Sequence, residues 1–483
     1  MILRRAVFML SNDNSAIRKM RDFFNTEKFM LIIFAVACLI TLFKIEVIGV
    51  LIFILIISFL LVVCDDLMPT TLPFLLLCET VIKLYDSYDV FIKLLWFAIP
   101  VVSALIFHFV YYRRKIVFGA ATKSMLFVSV AVTLGGVGFI SKEAYFSLVS
   151  FYYVFGLGFG MLFIYILLCT YLNTERTYSL KEKLSDTMIY MGLFAVYMIV
   201  EFYLTNIPEV METKGIIYMQ WRNNISTYLM LAMPFVAFKS IKRPSYIFLA
   251  LLFYCCILLA GSRGGLVFGG IELLMTMSML IGLDKRHRWT FISIGFGIVL
   301  AVALFFEDFY GFFGATFDRL IMGISGAEKE VRLELFARAF KDFNSNPIFG
   351  TGLAYMGNRD VHPSAKFALC WYHCEPLQIM GSLGIVGIIA YVNQLFARFV
   401  ILLKKKTIFN ITVLVSYLGL EMMSLVNPGI FCPLPYLFLV IMMLAVVEQV
   451  NTTEKVKSLE TDIKLNQVTV SSTDEEDLIY EDK

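Results

Sequence analysis

Long apolar runs separated by short polar breaks recur along almost the whole chain, and one break is far longer than the rest. About 20 apolar residues, as helix, cross a bilayer core. On that criterion the pattern predicts fourteen spans, near 29–43, 45–64, 70–85, 89–112, 115–139, 144–171, 184–204, 224–240, 245–261, 263–283, 288–306, 376–403, 408–427 and 430–449. The 70–85 run is short and carries Glu79 and Lys83. The long break runs from Glu307 to Glu375. Within it Leu333, Phe336, Phe340 and Phe343 recur at steps of three and four, which predicts an amphipathic helix lying along the membrane or against the bundle. Asn346-Pro347 ends that helix, because proline disfavours helix in the residue before it. Gly350 and Gly352 then predict a turn that brings backbone close to a ligand.

Composition places the chain in one class. Of its 483 residues 59% are hydrophobic and 16% charged, whereas a soluble domain carries about 25% charged and about half apolar residues. That much apolar surface has no place in a water-facing fold. The expectation is an all-α, polytopic transmembrane bundle. Its parts are a cytoplasmic segment 1–28, a bundle 29–306, an extracytoplasmic helical loop 307–375, C-terminal membrane helices 376–449 and a disordered cytoplasmic tail 450–483. A formal charge of +3 is too small to point to nucleic acid as a partner.

Charge also orients the chain. Arg113-Arg114-Lys115, Lys181 and Lys183, Lys239, Lys242 and Arg243, Lys285, Arg286 and Arg288, and Lys404-Lys405-Lys406 all fall in alternate loops. By the positive-inside rule those loops and both termini are cytoplasmic, and the long loop lies outside. The basic start (Arg4, Arg5, Arg18, Lys19, Arg21) lacks a cleavable signal pattern, so the first span is expected to stay in the mature protein. The nine cysteines give no framework. Cys370 and Cys374 fall in the long loop and are placed to pair if it faces an oxidising compartment.

Few residues carry candidate chemistry. In Gly261-Ser-Arg-Gly-Gly265, Arg263 sits between two spans. Either it snorkels to the interface, or the small residues around it leave room for a bulky anion. Arginine suits phosphate because its planar fork donates two parallel hydrogen bonds. Arg332 and Arg338 lie on the loop helix, where solvated pairing with Glu328, Glu330 and Glu334 is the simple reading. Arg332 adjoins the apolar stripe. Of four histidines, His108 falls in a span and His287 in a basic loop, which leaves His373 as the candidate base and His362 as a weaker competitor. An unperturbed imidazole has a pKa of about 6.5 and accepts a proton near neutrality. Glu272 and Glu421 fall within spans, where buried hydrogen bonding is the expectation. Asp65-Asp66 is the only adjacent aspartate pair and lies at a cytoplasmic span end.

Taken in order, Gly-Ser-Arg-Gly-Gly at an outer helix junction, Arg332 in a long outer loop, Asn346-Pro-Ile-Phe-Gly-Thr-Gly352, and His373 ahead of Gly384 resemble the O-antigen ligase/polymerase family. The likeness covers roughly 220–400, and the first 200 residues match only as generic spans. It implies a GT-C-like integral membrane glycosyltransferase of the bacterial inner membrane, acting on undecaprenyl-diphosphate-linked glycan. The ligases of that family suggest twelve spans rather than fourteen. By resemblance, Arg263 and Arg332 hold the lipid carrier's pyrophosphate and His373 deprotonates the acceptor hydroxyl. Arg222, in Trp221-Arg-Asn-Asn224, adds a third positive group, and Arg338 completes the substrate-binding set. Pyrophosphate leaves without a proton when its charge is stabilised, so no metal or cofactor is expected, and attack from the opposite face inverts the anomeric centre. The partners implied are the lipid-linked donor, a glycan acceptor, membrane lipid and a chain-length regulator. Repeat-unit polymerase is the first reading and O-antigen ligase the alternative. A lipid-linked oligosaccharide flippase stands against both, although no internal repeat of the kind common in transporters is visible.

Overall fold

The computed structural model describes residues 15–82, 95–139, 150–172, 179–213, 215–308, 310–311, 313–314, 317–318, 327–353, 372–431 and 435–454, with backbone alone at 150, 152 and 327–331. Among these residues there are helices and no strand. In chain order the helices are α1 (Ser15–Phe24), α2 (Glu27–Leu42), α3 (Glu46–Val63), α4 (Met68–Ile82), α5 (Ala98–Tyr111), α6 (Thr122–Gly136), α7 (Ser150–Phe155) and α8 (Met161–Tyr171). They continue as α9 (Leu180–Thr205), α10 (Ile207–Thr213), α11 (Arg222–Ser240), α12 (Ile247–Leu259), α13 (Arg263–Leu283), α14 (Arg288–Leu304), α15 (Ala327–Ser345), α16 (Glu375–Leu403), α17 (Ile408–Ser424) and α18 (Tyr436–Glu454).

A helix lies on each apolar run of the sequence. Among the described residues six helical stretches are long and apolar enough to cross a membrane, Tyr153–Tyr171 across α7 and α8 counting as one, or seven if α1 and α2, bent by 63°, form one span. The all-helical membrane bundle expected from composition is the fold observed. Its outer surface is apolar: Leu31, Leu55, Phe127, Ile389 and Phe396 are all exposed. Lipid covers such a belt, and helices suit it because they satisfy their backbone polar groups internally. The centre is α11, buried from Ile225 to Ala237 and packed by α9, α12, α13 and α17. Several starts carry hydroxyl caps: Thr26, Ser179, Ser262 and Thr407 each accept a backbone N–H of the first turn.

The loops rich in Lys and Arg meet at one end. Arg21 of α1 donates from Nε to Val63 O (2.7 Å) and from Nη2 to Tyr112 Oη (3.1 Å). Lys183 donates to Asn25 Oδ1 (2.6 Å) and pairs with Asp66 at 3.4 Å, both buried. Arg114 pairs with Asp65, Lys239 with Glu182 and Asp186, and Lys181 and Lys405 with Glu454. These contacts put the basic loops around Arg114, Lys183, Lys239 and Lys405 side by side. Removing one partner of a buried pair leaves an uncompensated charge. Lys183→Met is therefore expected to destabilise the protein by about 3–5 kcal/mol, with most of that recovered in Lys183→Met/Asp66→Asn, read by thermal unfolding in detergent.

Candidate active site at the opposite end

The loop helix α15 packs on α16, but not through the stripe read from the sequence. Leu335, Ala339 and Asp342 are its buried residues, whereas Leu333 and Phe340 are exposed. In a membrane protein apolar side chains face lipid as readily as core, so a Leu/Phe stripe does not mark the inner face. At 100° per residue Arg332 and Arg338 lie on opposite edges of the buried strip, and both are half-buried.

After α15 the chain folds into a break in α16. Gly384 departs from helix (φ +63°, ψ −158°), which frees backbone groups on both sides of it. The Asn346–Gly352 segment takes them up: Thr351 N and Gly352 N donate to Gly381 O and Ser382 O (3.0 and 2.9 Å), while Ile385 N and Val386 N donate to Pro347 O and Ile348 O (2.8 and 3.1 Å). Leu353 N donates to Gly136 O of α6 (2.8 Å). The close approach that Gly350 permits is thus to the backbone of Ser382 and Leu383. This corrects the expectation of a ligand-binding turn: these glycines join one piece of chain to another.

That junction fixes the chain around His373. Tyr372 is fully buried against Ala339, its Oη donates to Asp342 Oδ2 (2.7 Å), and its N–H donates to Gln378 Oε1 (3.4 Å). Arg338 Nε pairs with Asp342, one turn onward, at 3.1 Å. Burial pushes the Asp342 carboxyl above its ordinary range, against the opposing pull of Tyr372 and Arg338. A raised carboxyl supports the fold below its unfolded pKa, and that support fades as pH rises through the folded value. Asp342→Asn keeps an acceptor for Tyr372 and is expected to remove this pH slope. Asp342→Ala is expected to lose about 1–3 kcal/mol by orphaning the phenol. Melting temperatures followed upward from the unfolded carboxyl range should show the slope lost in both variants and stability lost only in Asp342→Ala. His373 itself is half-buried with φ +52°, a left-handed conformation that few residues other than glycine adopt.

Across the same end stand the starts of α11 and α13. Arg222 lies over the Tyr218 ring (5.9 Å), and its Nη1 donates to Met219 O (3.4 Å). Gly261, at φ +72°, presses on the same ring, so Arg222 and the Gly261–Gly265 junction share one aromatic support. Ser262 caps α13, accepting Gly265 N–H (3.1 Å) and donating to Asn223 Oδ1 (2.8 Å). Asn223 Nδ2 in turn donates to Asn427 Oδ1 (3.1 Å), just beyond α17. Gly264 packs on Met423 and Val426. Arg263, half-buried, is therefore held at the rim of this end.

The structure thus brings Arg222 and Arg263 together on adjoining helix starts, and joins α15, with Arg332 and Arg338, to the segment bearing His373. His362 and Cys370 lie outside the described residues, and Cys374 is a buried thiol. Sequence reading passed over Arg398. It is buried between α16 and α17, pairs with Glu421 at 3.4 Å, and donates to Tyr417 Oη and Gln394 Oε1 (3.1 and 3.0 Å). With Glu375, Tyr391 and Ser424, Arg398 and Glu421 line a cavity of about 190 Å³. An arginine in a membrane span was the available signal. Glu421 thereby has an ion-pair partner. Glu272 differs: it is buried beside Gly419, and neither oxygen has a hydrogen-bond partner among the described residues, so buried hydrogen bonding does not account for it.

Among curated proteins and among solved structures, nothing matches the chain. Residues 247–392 match the family model described as O-antigen ligase. That stretch holds Arg263, α15, the Asn346–Gly352 junction, His373 and the break at Gly384, and it stops short of Arg222. Through this segment the chain, a multi-pass membrane protein, carries an O-antigen ligase family domain.

Proposed function

We propose that the protein is a GT-C-like glycosyltransferase of polysaccharide assembly in the bacterial inner membrane, with both termini cytoplasmic. It transfers glycan from an undecaprenyl-diphosphate-linked donor to a sugar hydroxyl of an acceptor, at the outer face and with inversion. One observation carries this reading. Arg222 and Arg263 start adjoining helices at the bundle end where the chain also holds His373, within a segment matching the O-antigen ligase family.

Arg263 and Arg332, with Arg222 behind them, neutralise the pyrophosphate as the glycosidic bond to it breaks. Fixed donors aimed at developing charge lower such a barrier without reorganising during the step. The leaving group then needs no proton. His373 accepts the acceptor's hydroxyl proton as that oxygen bonds to the anomeric carbon from the opposite face. Arg338 Nε is engaged with Asp342, so its part is to steady Tyr372 and the neighbouring base rather than to hold substrate.

Polymerase is the first reading, and the family description keeps ligase beside it. The acceptor separates them, and gel analysis of glycans from a deletion strain reads it. Single repeats left on their acceptor mean a polymerase, helped by a chain-length regulator. Long chains stranded on the lipid carrier mean a ligase. Repeat units accumulating on the cytoplasmic leaflet mean a flippase and overturn the transferase reading.

A further inference from the structure

Glu375 opens α16 two residues after His373. An acid at a helix start commonly faces water near the exposed N–H groups. This one is only 6% exposed and turns inward. Its Oε2 accepts the backbone N–H of Ile430 (3.0 Å). Beside that contact Gly429 adopts φ +55°, and a Cβ there would overlap Glu375 Oε2. The carboxylate therefore occupies the space a side chain at 429 would need. The same turn bears Asn427, which accepts from Asn223 next to Arg222, and Asn223 accepts from Ser262 next to Arg263. A line of hydrogen bonds and short chain thus runs from the helix start behind His373 to the two helix starts carrying arginine.

The conformation of His373 gives this line a purpose. A left-handed residue with a side chain persists only where its surroundings over-determine it. Tyr372 is held on one side by Asp342 and Gln378. On the other side, past the buried Cys374, Glu375 is the side chain that reaches across to the turn at Ile430.

We infer that Glu375 is a positioning residue for transfer: by accepting the Ile430 N–H it holds His373 in register with the Arg222 and Arg263 helix starts. The inference rests on the site reading given above. It assigns Glu375 an acceptor's role, not that of a charge or a base, although Arg398 and Glu421 line the cavity beside it.

The test is initial-rate transfer by the full-length protein in lipid nanodiscs, with lipid-linked glycan as donor. Glu375→Gln keeps a carbonyl acceptor and is expected to stay within about threefold of wild type, whereas Glu375→Ala is expected to lower kcat about 10- to 100-fold with little change in donor KM. Gly429→Ala displaces the carboxylate and is expected to match Glu375→Ala. The double variant should be no worse than either single one, since both break the same contact. Hydrogen exchange at Ile430 should rise in Glu375→Ala and Gly429→Ala but not in Glu375→Gln, which reads the contact even in a variant too inactive to assay. Wild-type kcat in Glu375→Ala overturns the inference, and so does a Glu375→Gln variant as impaired as Glu375→Ala. His373→Ala separates the two levels. If it transfers at the wild-type rate, the site reading itself fails. If it is inactive while Glu375→Ala is normal, only the role of Glu375 fails.

Discussion

Replacing His373 by alanine is expected to lower transfer by about 10²–10⁴-fold, the range a positioned general base contributes. Arg263→Ala and Arg332→Ala are each expected to lower it by about 10²–10³-fold, the loss that follows removal of one donor to developing charge. All three residues are half-buried and none is a core residue, so insertion into the membrane should be unchanged. His373→Gly sharpens the test. Glycine adopts φ near +52° without the Cβ clash that burdens histidine there. The glycine variant should thus be as thermostable as wild type, or slightly more so, while remaining inactive. A loss of activity without loss of stability assigns the imidazole to chemistry. If His373→Gly is destabilised instead, the side chain is structural and the base must be sought elsewhere.

The second large effect is at a residue remote from any proposed chemistry. A Cβ at Gly384 would fall 2.6 Å from the carbonyls of Pro347 and Ile348, where φ is already +63°. These are backbone atoms, and they cannot retreat without breaking the bonds from Ile385 N and Val386 N. Gly384→Ala is expected to cost about 3 kcal/mol or more, combining left-handed strain with overpacking. The loss should appear as undocking of α15, seen as faster proteolysis within 307–353, and transfer should fall with it. Gly282 is the control, since nothing lies within 4 Å of its Cβ position. Gly282→Ala should be neutral or gain about 0.5–1 kcal/mol, as glycine-to-alanine changes in helices do.

The sequence revealed the helices because long apolar runs have few other uses, although six or seven of the described ones, against fourteen expected spans, have the length and composition to cross a membrane. It also revealed which loops share an end, because Lys and Arg gather there. The buried strip of α15 was not legible for a related reason. Its buried strip includes Asp342, which satisfies Tyr372, while Leu333 and Phe340 point outward. The glycines of the 346–352 segment signalled close approach correctly, but their spacing does not say to what. Here the neighbour is a helix break 30 residues onward, a pairing that only tertiary structure displays. Glu375 and Arg398 read as ordinary helix residues because their meaning lies in Ile430, Tyr417 and Glu421. The arginines and His373 were legible as residue types in order, whereas the Ser262–Asn223–Asn427 bridge between their supports was not.

The account depends on one anion site formed at the end of the bundle away from the basic loops. Its most direct test is an experimental structure of the protein bound to a non-transferable undecaprenyl-diphosphate sugar. The expected result has pyrophosphate oxygens about 2.7–3.2 Å from the guanidinium groups of Arg263 and Arg332, with the His373 ring opposite the anomeric carbon. Pyrophosphate bound among the lysines of the other end, or His373 turned away from the sugar, would contradict it.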